Sequence, residues 1–207
     1  ADGNPTNESA YYLCANRGKR SVAIDMATPQ GQQLLRELVV HCDVLVENYK
    51  VGGLKKYGLD WDSLKQINPK LVYCSITGYG QDGPYAQRAG YDAAIQAIGG
   101  LMSVTGEADG TPGGGPQKVG VAATDLLTGM YAVAGILAAL RHAERTGQGQ
   151  QIDLALLDTQ VAWLANQASN YLVGGVVPGR QGTAHPIIVP YQVRPAADAY
   201  FVLAVGN

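Results

Sequence analysis

Residues 43–47, Asp-Val-Leu-Val-Glu, form a strand-length run with almost no polar residue inside it. A strand that is apolar on both faces must be covered on both faces. That condition is met by a parallel sheet lying between layers of helices. Leu-Val-Tyr-Cys-Ser-Ile-Thr at 71–77 repeats the pattern, and Ser-Val-Ala-Ile-Asp at 21–25 reads as a shorter strand of the same kind. Helical signals fall between them. Thr28 is placed as an N-cap with Pro29 at the first helical position. Leu34, Leu35, Leu38 and Val39 then give that helix one apolar face. A glycine-bearing segment follows over 48–58. Asp60 is placed to cap a short helix over 61–67, which stops near Asn68-Pro69. Strand, helix, strand, helix, strand predicts an α/β fold, a Rossmann-like parallel sheet flanked by helices.

The second half carries a different signal. Residues 78–90 are rich in turn formers, 91–98 read as a helix, and 99–120 are dominated by glycine and proline and read as a mobile loop. A long apolar helix is predicted from about Asp125 to Arg145, with Leu126, Leu127, Met130, Val133, Ala134, Leu137 and Ala138 at helical spacing. A strand over 151–155, a second apolar helix over 156–173, a loop over 176–191 and a strand over 200–205 complete the pattern. The polar opening and the stop at Asn207, on a strand end, predict a piece of something longer. Asp125 is a lone carboxylate in the first turn of its helix, either a cap or a working group.

Composition narrows the function. The formal charge of −2 gives no basic footprint for nucleic acid. No unbroken apolar run reaches the roughly 18 residues of a membrane span, so no membrane partner is expected. The polar residues 1–9 do not read as a signal peptide, so none is expected there. Cys14, Cys42 and Cys74 lie far apart and read as reduced intracellular thiols. In that setting the sequon Asn7-Glu8-Ser9 is a chance match. His41, His142 and His185 show no metal-ligand spacing, so no metal is expected. The dinucleotide fingerprint GxGxxG is absent. Gly113-Gly114-Gly115-Pro116-Gln117-Lys118 lacks the spacing of a phosphate loop, and neither HExxH nor GxSxG occurs.

Six blocks in a fixed order carry a resemblance. They are Asn16-Arg17-Gly18-Lys19-Arg20-Ser21, Val46-Glu47-Asn48-Tyr49, Tyr73-Cys74-Ser75-Ile76-Thr77-Gly78-Tyr79-Gly80, Arg88-Ala89-Gly90-Tyr91-Asp92, Gly100-Leu101-Met102-Ser103-Val104-Thr105-Gly106, and the Asp125 helix down to Arg145-Thr146-Gly147-Gln148-Gly149-Gln150. Together they resemble the class III coenzyme A transferases, the family of formyl-CoA and carnitine-CoA transferases, which also holds the α-methylacyl-CoA racemases. Gly182-Thr183-Ala184-His185-Pro186 and Val189-Pro190-Tyr191-Gln192 look like the branch that includes the succinyl-CoA–glutarate transferase.

The resemblance implies that residues 1–175 form the large CoA-binding domain of an interlocked-dimer CoA-transferase fold, with its first strand missing, that residues 176–207 begin a linker and a small second domain, and that the assembly is a homodimer. It implies that Asp125 is the nucleophile. Its carboxylate attacks an acyl-CoA thioester and passes through a mixed anhydride and an aspartyl-CoA thioester to a carboxylic acid acceptor. A helix N-terminus favours the anion, and its N–H groups are placed to hold an oxyanion. The implied donor is succinyl-CoA and the implied acceptor a dicarboxylate. CoA enters as a thioester substrate, and no tightly bound cofactor is implied. Asn48 and Tyr49 match positions that hold CoA. Ile24 falls where the family places an apolar residue at the adenine, and Lys56 near a family arginine that meets phosphate. Asp92 is placed to orient substrate or CoA, and His185 to meet the substrate carboxylate. The chain departs from the family at Ala27, where some relatives carry lysine, and at Thr183-Ala184-His185-Pro186, where formyl-CoA transferase has a glycine-rich lid. Tyr91 stands where the racemases have a proton-moving histidine. A phenol with an ordinary pKa of about 10 is a poor base at neutral pH, so the transferase is preferred over the racemase or epimerase. The remaining alternative is an inactive CoA-binding fragment. The implied compartment is the cytoplasm, or the mitochondrial matrix in a eukaryote.

Overall fold

The computed structural model describes residues 8–206, so the sequon asparagine Asn7, the opening residues before Glu8 and Asn207 lie outside the described residues. Three strands form a parallel sheet in the order β1-β2-β3: β1 (Val44–Glu47), β2 (Val72–Thr77) and β3 (Gln151–Ala155). In register, Glu47 pairs with Ser75, and Ser75 with Asp153. β2 is the central strand. Val72, Tyr73, Cys74 and Ser75 are all buried, which is why this segment reads as apolar on both faces.

Each face of the sheet has its own cover. On one side Leu45 and Tyr73 pack with Val39 of α2 (Pro29–Val39), Leu64 of α3 (Trp61–Leu64), Leu54, Leu59 and Leu71. Complete burial of a leucine such as Leu64 or Leu71 contributes about 1.5–3 kcal/mol. Tyr73 keeps its hydroxyl satisfied there by donating to the carbonyl of Leu59 at 3.0 Å. On the other side lies α6 (Ala123–Thr146), which packs on β2 and β3 and passes Gly135 close to Ile152. Two shorter helices, α4 (Asp92–Ile98) and α7 (Leu156–Ala162), flank α6.

Several sequence expectations are corrected. Residues 21–25 form no strand and are mostly exposed. Asp25 turns the chain instead: its carbonyl accepts from the Thr28 backbone and hydroxyl, and its carboxylate accepts from the Ala27 N–H at 2.9 Å. The Thr28 hydroxyl does cap α2, accepting from the Gly31 N–H at 3.0 Å, with Pro29 at the first position. Asp60 occupies the N-cap position of α3, but its carboxylate accepts from the Ser63 hydroxyl rather than from a backbone N–H, and the helix is a single turn. The loop over 99–120 holds a short helix, α5 (Leu101–Val104). The apolar helix over 156–173 is two helices, α7 and α8 (Ala165–Gly174), broken where Ala165 takes a positive φ. Residues 10–16 form an unforeseen first helix, α1 (Ala10–Asn16). Near the end, β4 (Tyr191–Pro195) and β5 (Tyr200–Ala204) pair antiparallel.

α6 has 24 residues and holds an 18-residue stretch of mean hydropathy 1.5, long and apolar enough to cross a membrane by length and composition. The count of unbroken runs in the sequence did not register it. Gly129, Thr128 and the charged ends interrupt the run while leaving the average high.

Candidate active site

All three parallel strands end at one place. Asn48 and Tyr49 follow β1, Gly78 follows β2, and Leu156 follows β3. Open α/β sheets bind ligands beyond the carboxyl ends of their strands, and a cleft of about 700 Å³ opens there. Asn48, Tyr49, Tyr91, Asp92 and Asp125 all line it.

Two glycines bring the far wall into position. A Cβ on Gly78 would lie 2.5 Å from the Gly90 Cα. The segment leaving β2 and the segment entering α4 therefore cross with their backbones in contact, a distance only glycine permits. The crossing places Tyr91 and Asp92 at the head of α4, opposite the N-terminal turn of α6. Tyr91 is 74% exposed and Tyr49 48%, so both rings present a free face to the cleft. Lys50 and Arg88 add positive charge to the lining, and the Arg88 guanidinium lies 4.2 Å from the centroid of the Tyr85 ring.

Asp125 stands on the third residue of α6, because the helix begins at Ala123 rather than at Asp125. It is therefore not the N-cap. That position belongs to Ala122, which has no side chain able to accept. Thr124 is not the cap either. It is fully buried inside the helix, and its hydroxyl donates to Gln160 Oε1 at 2.7 Å. The acceptor for the first turn comes from another helix. Asp92 Oδ1 accepts from the Thr124 N–H at 2.8 Å and the Asp125 N–H at 3.3 Å. These donors are thus already taken, so the expectation that they hold an oxyanion is corrected. Asp92 Oδ2 accepts from Gln96 Nε2 at 2.6 Å, and Gln96 Oε1 accepts from the Val119 N–H at 2.9 Å.

The electrostatics at Asp125 also differ from a helix-dipole argument alone. Burial, and after it the negative charge of Asp92, push the Asp125 carboxyl above the ordinary carboxylate value. A carboxyl perturbed in this way inside a cleft is a mark of functional sites.

The other residues singled out in the sequence lie away from the cleft lining. Ile24 is half-buried in the 21–25 segment. Lys56 sits on a 3₁₀ turn (Lys55–Tyr57), with its Nζ 4.6 Å above the Tyr57 ring. His185 stacks on Tyr191 at 5.2 Å between centroids, and its Nδ1 accepts from the Ile187 and Ile188 N–H groups. Among the described residues, no group of three or more His, Cys, Asp or Glu side chains converges as a metal site would require. Sequence reading passed over Lys50, Arg88, Gly129 and Gln96. The spacing of Asp92 and Gln96, four apart on one helix, is the signal that was available for the last of these.

A model described as CoA-transferase family III matches residues 2–207. A succinate–glutarate CoA-transferase of Agrobacterium fabrum is 56% identical over 207 residues, which is all of this chain and 50% of that protein. A human succinyl-CoA:glutarate CoA-transferase is 48% identical over 200 residues, 97% of this chain and 45% of that protein. The crystal structure of a CAIB/BAIF family protein from Brucella suis superposes with a TM-score of 0.89 at 55% identity, covering 96% of this chain and 52% of that one. The chain belongs to CoA-transferase family III. It spans about half the length of the curated relatives it matches.

Proposed function

We propose that this chain carries the nucleophile and the CoA-binding wall of an enzyme that moves CoA from succinyl-CoA to a dicarboxylic acid such as glutarate. One observation carries the reading. Asp125, whose carboxyl burial and Asp92 push above the ordinary value, lines the cleft where three parallel strands end, together with Asn48 and Tyr49. The names of the relatives at 48% and 56% identity support the choice of donor and acceptor.

The chemistry runs through four acyl exchanges: one at the donor carbonyl, two at the Asp125 side-chain carbonyl and one at the acceptor carbonyl. An Asp125 carboxylate oxygen attacks the thioester carbonyl, the C–S bond breaks, and a mixed anhydride and CoA thiolate result. The thiolate attacks the Asp125 side-chain carbonyl. The anhydride C–O bond breaks there, the donor acid leaves, and an aspartyl-CoA thioester remains. The acceptor carboxylate attacks that thioester and expels the thiolate, forming a second anhydride. The thiolate then attacks the acceptor's carbonyl, giving the new acyl-CoA and the free Asp125 carboxylate. Covalent catalysis of this kind divides one difficult exchange into easier ones. Tyr49 offers a face for the adenine, Asn48 a hydrogen-bonding amide, and Lys50 and Arg88 the positive charge that phosphates need. Residues up to 175 are assigned to this CoA-binding domain, and an interlocked homodimer is the proposed assembly.

The test is direct. Incubation with succinyl-CoA, trapping with hydroxylamine or borohydride and peptide mass spectrometry should place the label on Asp125 and nowhere in Asp125→Ala. Absence of label with CoA still bound, together with exchange of the α-hydrogen in deuterated water, would favour the racemase instead.

A further inference from the structure

We propose that Gln96 is a positioning residue: it clamps the Asp92 carboxylate onto the first turn of α6, and this clamp sets where Asp125 stands in the cleft. The inference rests on the reading of Asp125 as the nucleophile. Gln96 is completely buried in α4. Burying a primary amide is costly unless its polar atoms are bonded, and both ends of this one are. The Val119 N–H can give only to an oxygen, so Gln96 must present Oε1 to it and turn Nε2 toward Asp92. The orientation of the amide is thus dictated from outside the pair. Asp92 in turn uses both of its oxygens, one on Gln96 and the other on the Thr124 and Asp125 N–H groups.

The result is a staple. Val119 and Asp125 bound the seven residues that lead into α6, and one Asp–Gln pair holds both ends of that segment. A helix whose own N-cap is alanine has no side chain of its own to satisfy the first turn. Its placement therefore depends on a carboxylate 33 positions upstream. Thr124, whose hydroxyl is bonded to the fully buried Gln160, steadies the same turn. Asp92 also lines the cleft beside Asp125, and the other charged residues of that lining are Glu47, Lys50 and Arg88.

A pair of substitutions separates positioning from packing. In Gln96→Glu the Val119 bond survives, but the donor to Asp92 is lost and two carboxylates face each other. In Asp92→Asn the capping oxygen survives, but two amide NH₂ groups meet. In the double variant, the new amide at 92 caps α6 with its oxygen and donates to the new carboxylate at 96. That carboxylate still accepts from Val119. Every hydrogen bond returns, with the negative charge moved from position 92 to position 96. The measurement is the rate of CoA transfer from succinyl-CoA to glutarate by the whole enzyme, with kcat and KM separated, beside thermal melts. Each single variant is expected to lower kcat about tenfold or more, in keeping with the sensitivity of reacting groups to small displacements, with KM altered less than about threefold. The double variant is expected to recover kcat to within about threefold of the parent, because residues in one network are strongly non-additive. Additive losses in the double variant, or losses confined to melting temperature with kcat intact, would overturn the clamp. Should a single variant fail to fold, the activity of the double variant decides alone. A parent enzyme that forms no adduct on Asp125 would instead overturn the transferase reading on which the clamp depends.

Discussion

At Asp125 two demands oppose each other. Under the proposed function the residue must be ionised to attack, yet burial and Asp92 make ionisation harder than in water. The folded protein therefore holds a proton on Asp125 more tightly than the unfolded chain does. By linkage, stability falls as pH rises from the ordinary carboxylate range through the raised folded value, and the cost is fully present above it. Asp125→Asn removes that cost. The variant is expected to melt at a higher temperature than the parent at neutral pH, and the difference should vanish once the pH drops below the ordinary carboxylate range. Thermal melts across pH check this, and an advantage that grows on acidification would contradict it. For the same reason the acid limb of kcat/KM should lie above the pH at which a free aspartate ionises. Among single residues, Asp125, Asn48, Tyr49, Tyr91 and Asp92 line the cleft, and each sits in one of the blocks that carry the resemblance. Gln96 was not legible in the sequence. A glutamine inside a helix leaves no trace in hydrophobic periodicity, and its partner at Val119 is visible only once the chain has folded. Ile24, Lys56 and His185 were singled out by resemblance alone, and none of the three lines the cleft.

At the scale of elements, the crossing at Gly78 and Gly90 is the most demanding contact in the site. A methyl on Gly78 would meet the Gly90 backbone at 2.5 Å, with no flexible side chain to yield. Gly78→Ala is expected to destabilise the fold by about 1–3 kcal/mol, the usual range for overpacking, and to weaken CoA binding because Tyr91 and Asp92 shift with the loop. Denaturant unfolding and calorimetric titration with CoA check both effects. Gly129 marks the opposite situation. It lines the cleft one helical turn after Asp125, and its missing side chain leaves open space. Strands and helices with a strong period were readable in advance: α2, β1, β2 and α6 appear where apolar spacing put them. Residues 21–25 were misread because strand-like composition says nothing about whether a partner strand is present. The break between α7 and α8 was missed because apolar spacing continues through Trp163 and Leu164 while the backbone does not.

Across the whole molecule, the sheet is narrow and much apolar surface remains uncovered. Leu126, Met130, Val133 and Leu137 form an exposed stripe along α6, and Leu172 and Val173 are exposed on α8. Apolar area of this extent is typical of surfaces that meet another polypeptide. Under the proposed assembly, light scattering should return twice the chain mass. Glutamate at both Met130 and Leu137 is expected to reduce it to a single chain while leaving far-UV circular dichroism unchanged. A parent that runs as a monomer would remove the dimer from the proposal.

The cap supplied by Asp92 has a further consequence, for the order in which the molecule is built. The first turn of α6 lacks a local nucleating group, and the acceptor it uses arrives only when α4 docks. Helix nucleation is unfavourable without such help. A chain still emerging or partly collapsed thus holds Asp125 on a frayed, hydrated end, where it is an ordinary surface aspartate. Under the proposed function, the geometry in which Asp125 meets a thioester is therefore complete only once α4 has docked on α6.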